Sequence, residues 1–213
     1  MPGLDFGQIF IALLVLLFSL TIHEMAHAWT ADRLGDPTAR LLGRVSLNPV
    51  VHIDPIGTVL FPLFAAVSGV PLIGWAKPVP VRVENLRHRR RDFMLVAAAG
   101  PASNLVLATA ASVALRLMPV SPGNIGDLDV SGPLAVLAMR AIEINVLLAV
   151  FNMIPIPPLD GGNVLGGVLP GRFATAFDSL RPYGVVLIYA LMFTGMLAVV
   201  VGPPYYFLLS WLR

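Results

Sequence analysis

The sequence contains no cysteine in 213 residues. Disulfides and thiolate metal sites are therefore excluded, and a bound metal must be held by histidine, carboxylate or water. Histidine is itself scarce, with four in the chain. Charge is sparse too: 12% of residues are charged, where a soluble domain has about a quarter. Lysine occurs once, beside 13 arginines. With 57% hydrophobic residues, water is not the main solvent of this chain, and nucleic-acid binding is a poor reading of it. There is no internal repeat and no low-complexity run, so residues 1–213 are read as one domain.

The apolar residues are gathered into long runs. Phe93–Leu115 and Tyr183–Val201 carry no charge over 23 and 19 residues, close to the roughly 20 that a helix needs to cross a bilayer. Phe6–Ile22 is equally uncharged and runs straight into a histidine motif, without the basic region that precedes a signal sequence. The expected elements are a helix from Phe6 to Ala31, a short strand over Leu41–Leu47, an apolar segment Ile56–Ile73 broken by glycine and proline, and an extended segment Gly74–Val83. Helices over Phe93–Leu117 and Leu134–Ile154 follow, then a proline-rich stretch and a last helix over 183–201. The fold expected is an α-helical polytopic membrane protein, with about four spanning helices, a re-entrant segment and short membrane-associated β-strands.

The re-entrant reading of Ile56–Ile73 comes from charge. If that segment crossed the bilayer, loop lysines and arginines would divide 8 to 5 between the two faces. If it turns back, they divide 11 to 2, which the preference for basic residues on the cytoplasmic side favours. Five arginines between Arg82 and Arg91 then face the cytoplasm and its anionic lipid.

His23-Glu24-Met25-Ala26-His27 has the H-E-x-x-H pattern. Four residues of helix advance about 6 Å, which places both imidazoles on one face, able to share one metal. Glu24 then stands beside the metal, where it can take a proton from activated water and pass it to a leaving amine. Three ionisable groups following an uncharged run are costly near a membrane interior, which makes them a functional site by default. A catalytic zinc wants a third protein ligand and an open position. His52, His88 and the carboxylates are available, and Asp160 stands out, preceded by three prolines and followed by Gly161-Gly162. An Asp-Gly-Gly turn capping a helix is the plain alternative. Re-entrant topology favours the ligand, because it brings Asp160 to the same face as His27. His52 is read as bonding a turn, and His88 as a solvated interface residue.

These pieces resemble the site-2 protease family of intramembrane zinc metalloproteases, in a compact form without PDZ or CBS domains. The matching motifs are His23–His27, Gly100-Pro101-Ala102-Ser103-Asn104 and Asn152–Gly162, joined by Leu47-Asn48-Pro49, His52–Thr58 and Gly74–Val81. They cover residues 1 to about 170, with a catalytic core over about 6–170. The resemblance implies a zinc metalloendopeptidase that cleaves a peptide bond within or near transmembrane segments of its substrates. It implies one Zn2+ per chain on His23, His27 and Asp160, Glu24 as general base, and Asn152 as a substrate-positioning or oxyanion-stabilising residue. The implied setting is a prokaryotic plasma membrane with the site near the cytoplasmic face, and the implied partners are transmembrane protein substrates and the lipid bilayer. An extended Trp75–Val83 segment offers an edge on which an unwound substrate can add as a strand. A membrane metal-binding or transport protein, or an inactive relative, are the alternatives. The first would need ligands along a path, and the second would be expected to lose Glu24 or a ligand.

Overall fold

The computed structural model describes residues 6–68, 75–118 and 132–213. Three long helices form the frame: α1 (Phe6–Leu34), α4 (Arg89–Arg116) and α5 (Pro133–Asn152). Between α1 and α4 lie two short helices, α2 (Thr38–Leu41) and α3 (Phe61–Ser68); after α5 come α6 (Asp160–Val168), α7 (Gly171–Asp178), α8 (Gly184–Phe193) and α9 (Met196–Leu212). Helix α1 continues one turn past the expected Ala31 and stops at Gly35, whose φ of +114° a side chain would resist. Helix α5 starts on Pro133, a residue whose missing N–H costs nothing in a first turn.

By length and composition, four stretches can cross a membrane: Phe6–Leu34, Arg89–Arg116, Pro133–Asn152 and Gly171–Phe193. The single C-terminal helix expected over 183–201 is instead two helices. Gly195 adopts φ +74° between α8 and α9, which ends the first and redirects the chain into the second.

In lipid, packing and polar links drive helices together, because the tails are as apolar as the side chains. The contacts here follow that rule. Ala108, Ala135 and Ala138 lie in the core between α4, α5 and α9, together with Ile142, Val146 and Leu209. Leu16 and Leu20 of α1 pack on Ile144 and Leu148 of α5, with Ala76 completing the group. Small residues allow the close approach, and Asn104 of α4 bonds Asn145 of α5 across it at 2.8 Å.

The expected β-strands are absent among the described residues. Over Leu41–Leu47, α2 ends and Gly43 turns at φ +70°, so the following residue folds back under the helix instead of running on. Residues 75–82 are irregular and pair with no strand. Trp75 N donates to Gly57 O at 3.1 Å, Lys77 N to His52 O at 2.9 Å and Val79 N to the Glu24 carboxylate at 3.0 Å. These alternate N–H groups are thus taken up by loop carbonyls and a side chain. Pro78 and Pro80, at the intervening positions, have no N–H with which to extend a ladder. Part of the expected Ile56–Ile73 segment lies outside the described residues; its start forms a helical turn over Pro55–Leu60 that leads into α3.

Candidate metal centre

His23 and His27 project from one face of α1 and are both buried. Their ring centroids are 4.6 Å apart and their planes nearly perpendicular, at 88°. Asp160, the first residue of α6, closes the third side. Its Oδ2 lies 3.2 Å from His23 Nε2, its Oδ1 lies 3.4 Å from His27 Nε2, and the two Nε2 atoms are 3.0 Å apart. Among the described residues these three form the one group of histidine and carboxylate that can hold a metal ion.

The other ring nitrogens decide what the cluster can bind. His27 Nδ1 donates to the Val96 carbonyl at 2.7 Å, and His23 Nδ1 to Asn104 Oδ1, also at 2.7 Å. With both Nδ1 atoms protonated in the neutral rings, both Nε2 atoms carry lone pairs and point at the same spot as the carboxylate. Asp160 Oδ2 is buried there without a hydrogen bond. Three converging lone-pair donors call for a cation. A tetrahedral ion with bonds of about 2.0–2.1 Å sets its ligand atoms roughly 3.3 Å apart, and the separations of 3.0, 3.2 and 3.4 Å surround that value. The residues therefore fit zinc, with nitrogen and oxygen ligands and no sulfur.

Space for the imidazoles comes from α4. A Cβ on Gly100 would stand 2.5 Å from the His27 ring and 2.6 Å from that of His23. Asn104, one turn further along α4, accepts from His23 while its amide donates to Asn145 Oδ1, and Asn145 in turn donates to the Ala141 carbonyl at 2.8 Å. This chain fixes the His23 tautomer and ring orientation. On the other side, a Cβ on Gly161 would lie 2.2 Å from the Met153 carbonyl oxygen, and one on Gly162 would lie 2.4 Å from the Pro157 nitrogen. The two glycines allow α6 to sit directly on the backbone of the proline-rich stretch, which contains a cis peptide at Pro157-Pro158.

A cavity of about 480 Å³ opens on the cluster, lined by His23, Glu24, His27, Asn152 and Asp160 together with Trp75, Val79 and Val81. Glu24 Oε2 accepts from Val79 N at one wall. Asn152 donates its amide back to the Leu148 carbonyl at 3.0 Å. The structure thus brings His23, Glu24, His27, Asn152 and Asp160 around one space. His52 and His88 lie apart from it. His52 is buried, with Nε2 on the Ser46 carbonyl at 2.9 Å. Burial pushes its imidazole below the ordinary value, outweighing the Ser46 bond that favours the charged form. His88 is exposed and pairs with Asp92 at 3.7 Å.

Sequence reasoning passed over the roles of Gly100, Asn104 and Asn145. A usable signal was present: each is a small or amide residue within an apolar helix, and Asn145 stands two turns before Asn152 on the same face of α5.

The chain is 35% identical over 190 residues to the protein named Putative zinc metalloprotease YwhC of Bacillus subtilis, spanning 89% of this chain and 83% of that one. It belongs to peptidase family M50. Residues 118–195 match the profile of that family directly. Putative zinc metalloprotease Rip2 of Mycolicibacterium smegmatis is 30% identical over 85% of this chain and 66% of its own length. Putative zinc metalloprotease Rip3 of Mycobacterium tuberculosis is 29% identical over 78% of this chain and 32% of its own. No solved structure matches. As an M50 member with four stretches apolar and long enough to cross a bilayer, the chain is an integral membrane zinc metalloprotease.

Proposed function

We propose that this M50 protein is an intramembrane endopeptidase that holds one zinc ion per chain on His23, His27 and Asp160 and cleaves its substrates within or near their transmembrane segments. The observation that carries the reading is the convergence of two imidazole lone pairs and a buried carboxylate on one cavity wall, with Glu24 beside them. Zinc bound there supplies Lewis-acid activation of water and of the scissile carbonyl. The protein's own groups do the rest. Glu24, oriented by the Val79 amide, receives the proton from water on its carboxylate and delivers it to the departing amine. Asn152, at the cavity wall, turns its amide from the Leu148 carbonyl toward the developing oxyanion. The apolar part of the lining receives an unwound stretch of a membrane helix, and the free edge of residues 75–81 meets it through carbonyls, since Pro78 and Pro80 have no N–H to offer.

Placement of the site near the cytoplasmic face, in a prokaryotic plasma membrane, rests on the charge division and on one pair of contacts. Trp75 N donates to Gly57 O at 3.1 Å, and Thr58 Oγ1 donates to Trp75 O at 2.8 Å. A segment whose ends are bonded to each other crosses the bilayer an even number of times, and 17 intervening residues are too few for two helical crossings of roughly 20 each. That supports a re-entrant segment, with the end of α1 and the start of α6 on the same side.

The test is co-expression with candidate single-span proteins. Wild type is expected to release a shortened product, and Glu24→Gln to bind zinc equally and release none. Equal cleavage by both overturns the mechanism.

A further inference from the structure

Arg44 is a buried guanidinium, 7% exposed, and among the described residues no carboxylate lies within ion-pair distance of it. Burying a charge without a counter-charge is costly, so such a group is kept for what it holds. It holds a backbone carbonyl: Arg44 Nη2 donates to Lys77 O at 2.5 Å. The same Lys77 gives its N–H to the His52 carbonyl at 2.9 Å. Lys77 is therefore gripped at both of its backbone groups, as Trp75 is by Gly57 and Thr58. Two residues later on the same edge, Val79 N meets Glu24 Oε2 at 3.0 Å. Nothing else in the hydrogen bonding of residues 75–79 comes from the long helices; the segment is set from the loop side and read out on α1.

The local sequence is built to bring Arg44 inward. Gly43 at φ +70° lets Gly43 N bond Arg40 O at 3.0 Å and Arg44 N bond Ala39 O at 2.8 Å, which closes α2 and turns the next side chain under it. A lysine there would keep the charge without the same reach to a carbonyl.

We infer that Arg44 is a positioning residue for Glu24: by fixing Lys77 it sets the register of the extended segment, so that the Val79 amide meets the carboxylate that serves as base. The inference rests on the proteolytic reading for its catalytic consequence and on the hydrogen bonds alone for its structural one, and the test separates the two.

Arg44→Met and Arg44→Lys are made in the whole 213-residue chain, with Val79→Pro, which deletes the amide at a residue that Pro80 already holds out of the helical region, and the double variant Arg44→Met/Val79→Pro. Zinc content, hydrogen exchange over residues 75–81, and kcat and KM on a cleaved substrate are measured. Arg44→Met should keep zinc and the protection of α1 and α4, lose protection over 75–81, and lower kcat about tenfold or more with KM within about twofold. Arg44→Lys should behave likewise. The double variant should be no worse than Val79→Pro, since both act through one bond. Unchanged protection over 75–81, or additive losses in the double variant, overturns the positioning role. If Glu24→Gln cleaves as wild type does, Glu24 is not the base and the catalytic consequence falls, while the exchange result still decides the clamp.

Discussion

His23 donates its Nδ1 proton to the side-chain carbonyl of Asn104 at 2.7 Å, linking the first helix to the fourth through the ring whose other nitrogen faces the proposed metal position. The partner that fixes a ligand's tautomer commonly tunes affinity by about 10–100-fold. Asn104→Leu should weaken zinc binding by that order, measured by competition with a calibrated chelator. Asn104→Asp, which keeps an acceptor, should lose less.

Gly100→Ala should cost zinc affinity and cleavage without unfolding the chain. The new methyl would enter the space of both imidazoles, at 2.5 and 2.6 Å, so the rings must leave the positions at which they converge with Asp160. Circular dichroism should be unchanged while zinc content falls. Full zinc occupancy in this variant would contradict the packing argument.

Asn152→Ala separates holding from catalysis. Its amide touches the Leu148 carbonyl and none of the three proposed ligands, so zinc content should stay at the wild-type level. Loss of an oxyanion donor lowers kcat by about 10²–10³-fold. A variant as active as wild type would remove Asn152 from the mechanism.

Asp36 gives a pH-dependent signature outside the bilayer. Burial raises the pKa of this carboxyl, but hydrogen bonds from Thr38, Asn85 and the Arg82 amide outweigh it and hold the value below the ordinary one. A carboxyl depressed in the folded state stabilises it above the unfolded value of about 3.9 and loses that contribution as pH falls through the folded value. Asp36→Asn should therefore lower the unfolding temperature at pH 6–7, and the gap from wild type should shrink below about pH 3.9.

A reporter fused after Asn85 should be found in the cytoplasm, on the side where the proposed site opens. Its appearance outside the cell would damage the re-entrant reading and the placement of the site together.

Much of this molecule was legible in its sequence. The long apolar runs gave α1, α4 and α5 to within a few residues, because predominantly apolar stretches of that length leave a helix as the way to satisfy the backbone in lipid. The spacing of His23 and His27 placed two rings on one face, whereas the glycines after Asp160, read as allowing a tight turn, lie in the first turn of α6 and allow its close approach to backbone. The loops were less readable. Residues 75–83 alternate as a strand does, yet their partners are the Gly57 and His52 carbonyls and the Glu24 side chain, a tertiary choice invisible to periodicity. The division at Gly195 was obscured because valine and leucine continue on both sides of it. Arg44, read as one more basic loop residue, proved to be among the buried ones, since charge alone does not say which arginine is turned inward by a preceding glycine.

The seating of α6 has a consequence for how this architecture diversifies. Asp160 is placed by two glycines resting on the main chain of residues 153–157, so its address is written in backbone against backbone. Side chains at Leu159 and Asn163 can then be exchanged, and one wall of the chamber re-tailored to another polypeptide, while the carboxylate keeps its station. Gly161 and Gly162 have no such latitude, and a saturation scan across 153–163 should reveal two intolerant positions beside the aspartate amid otherwise permissive neighbours.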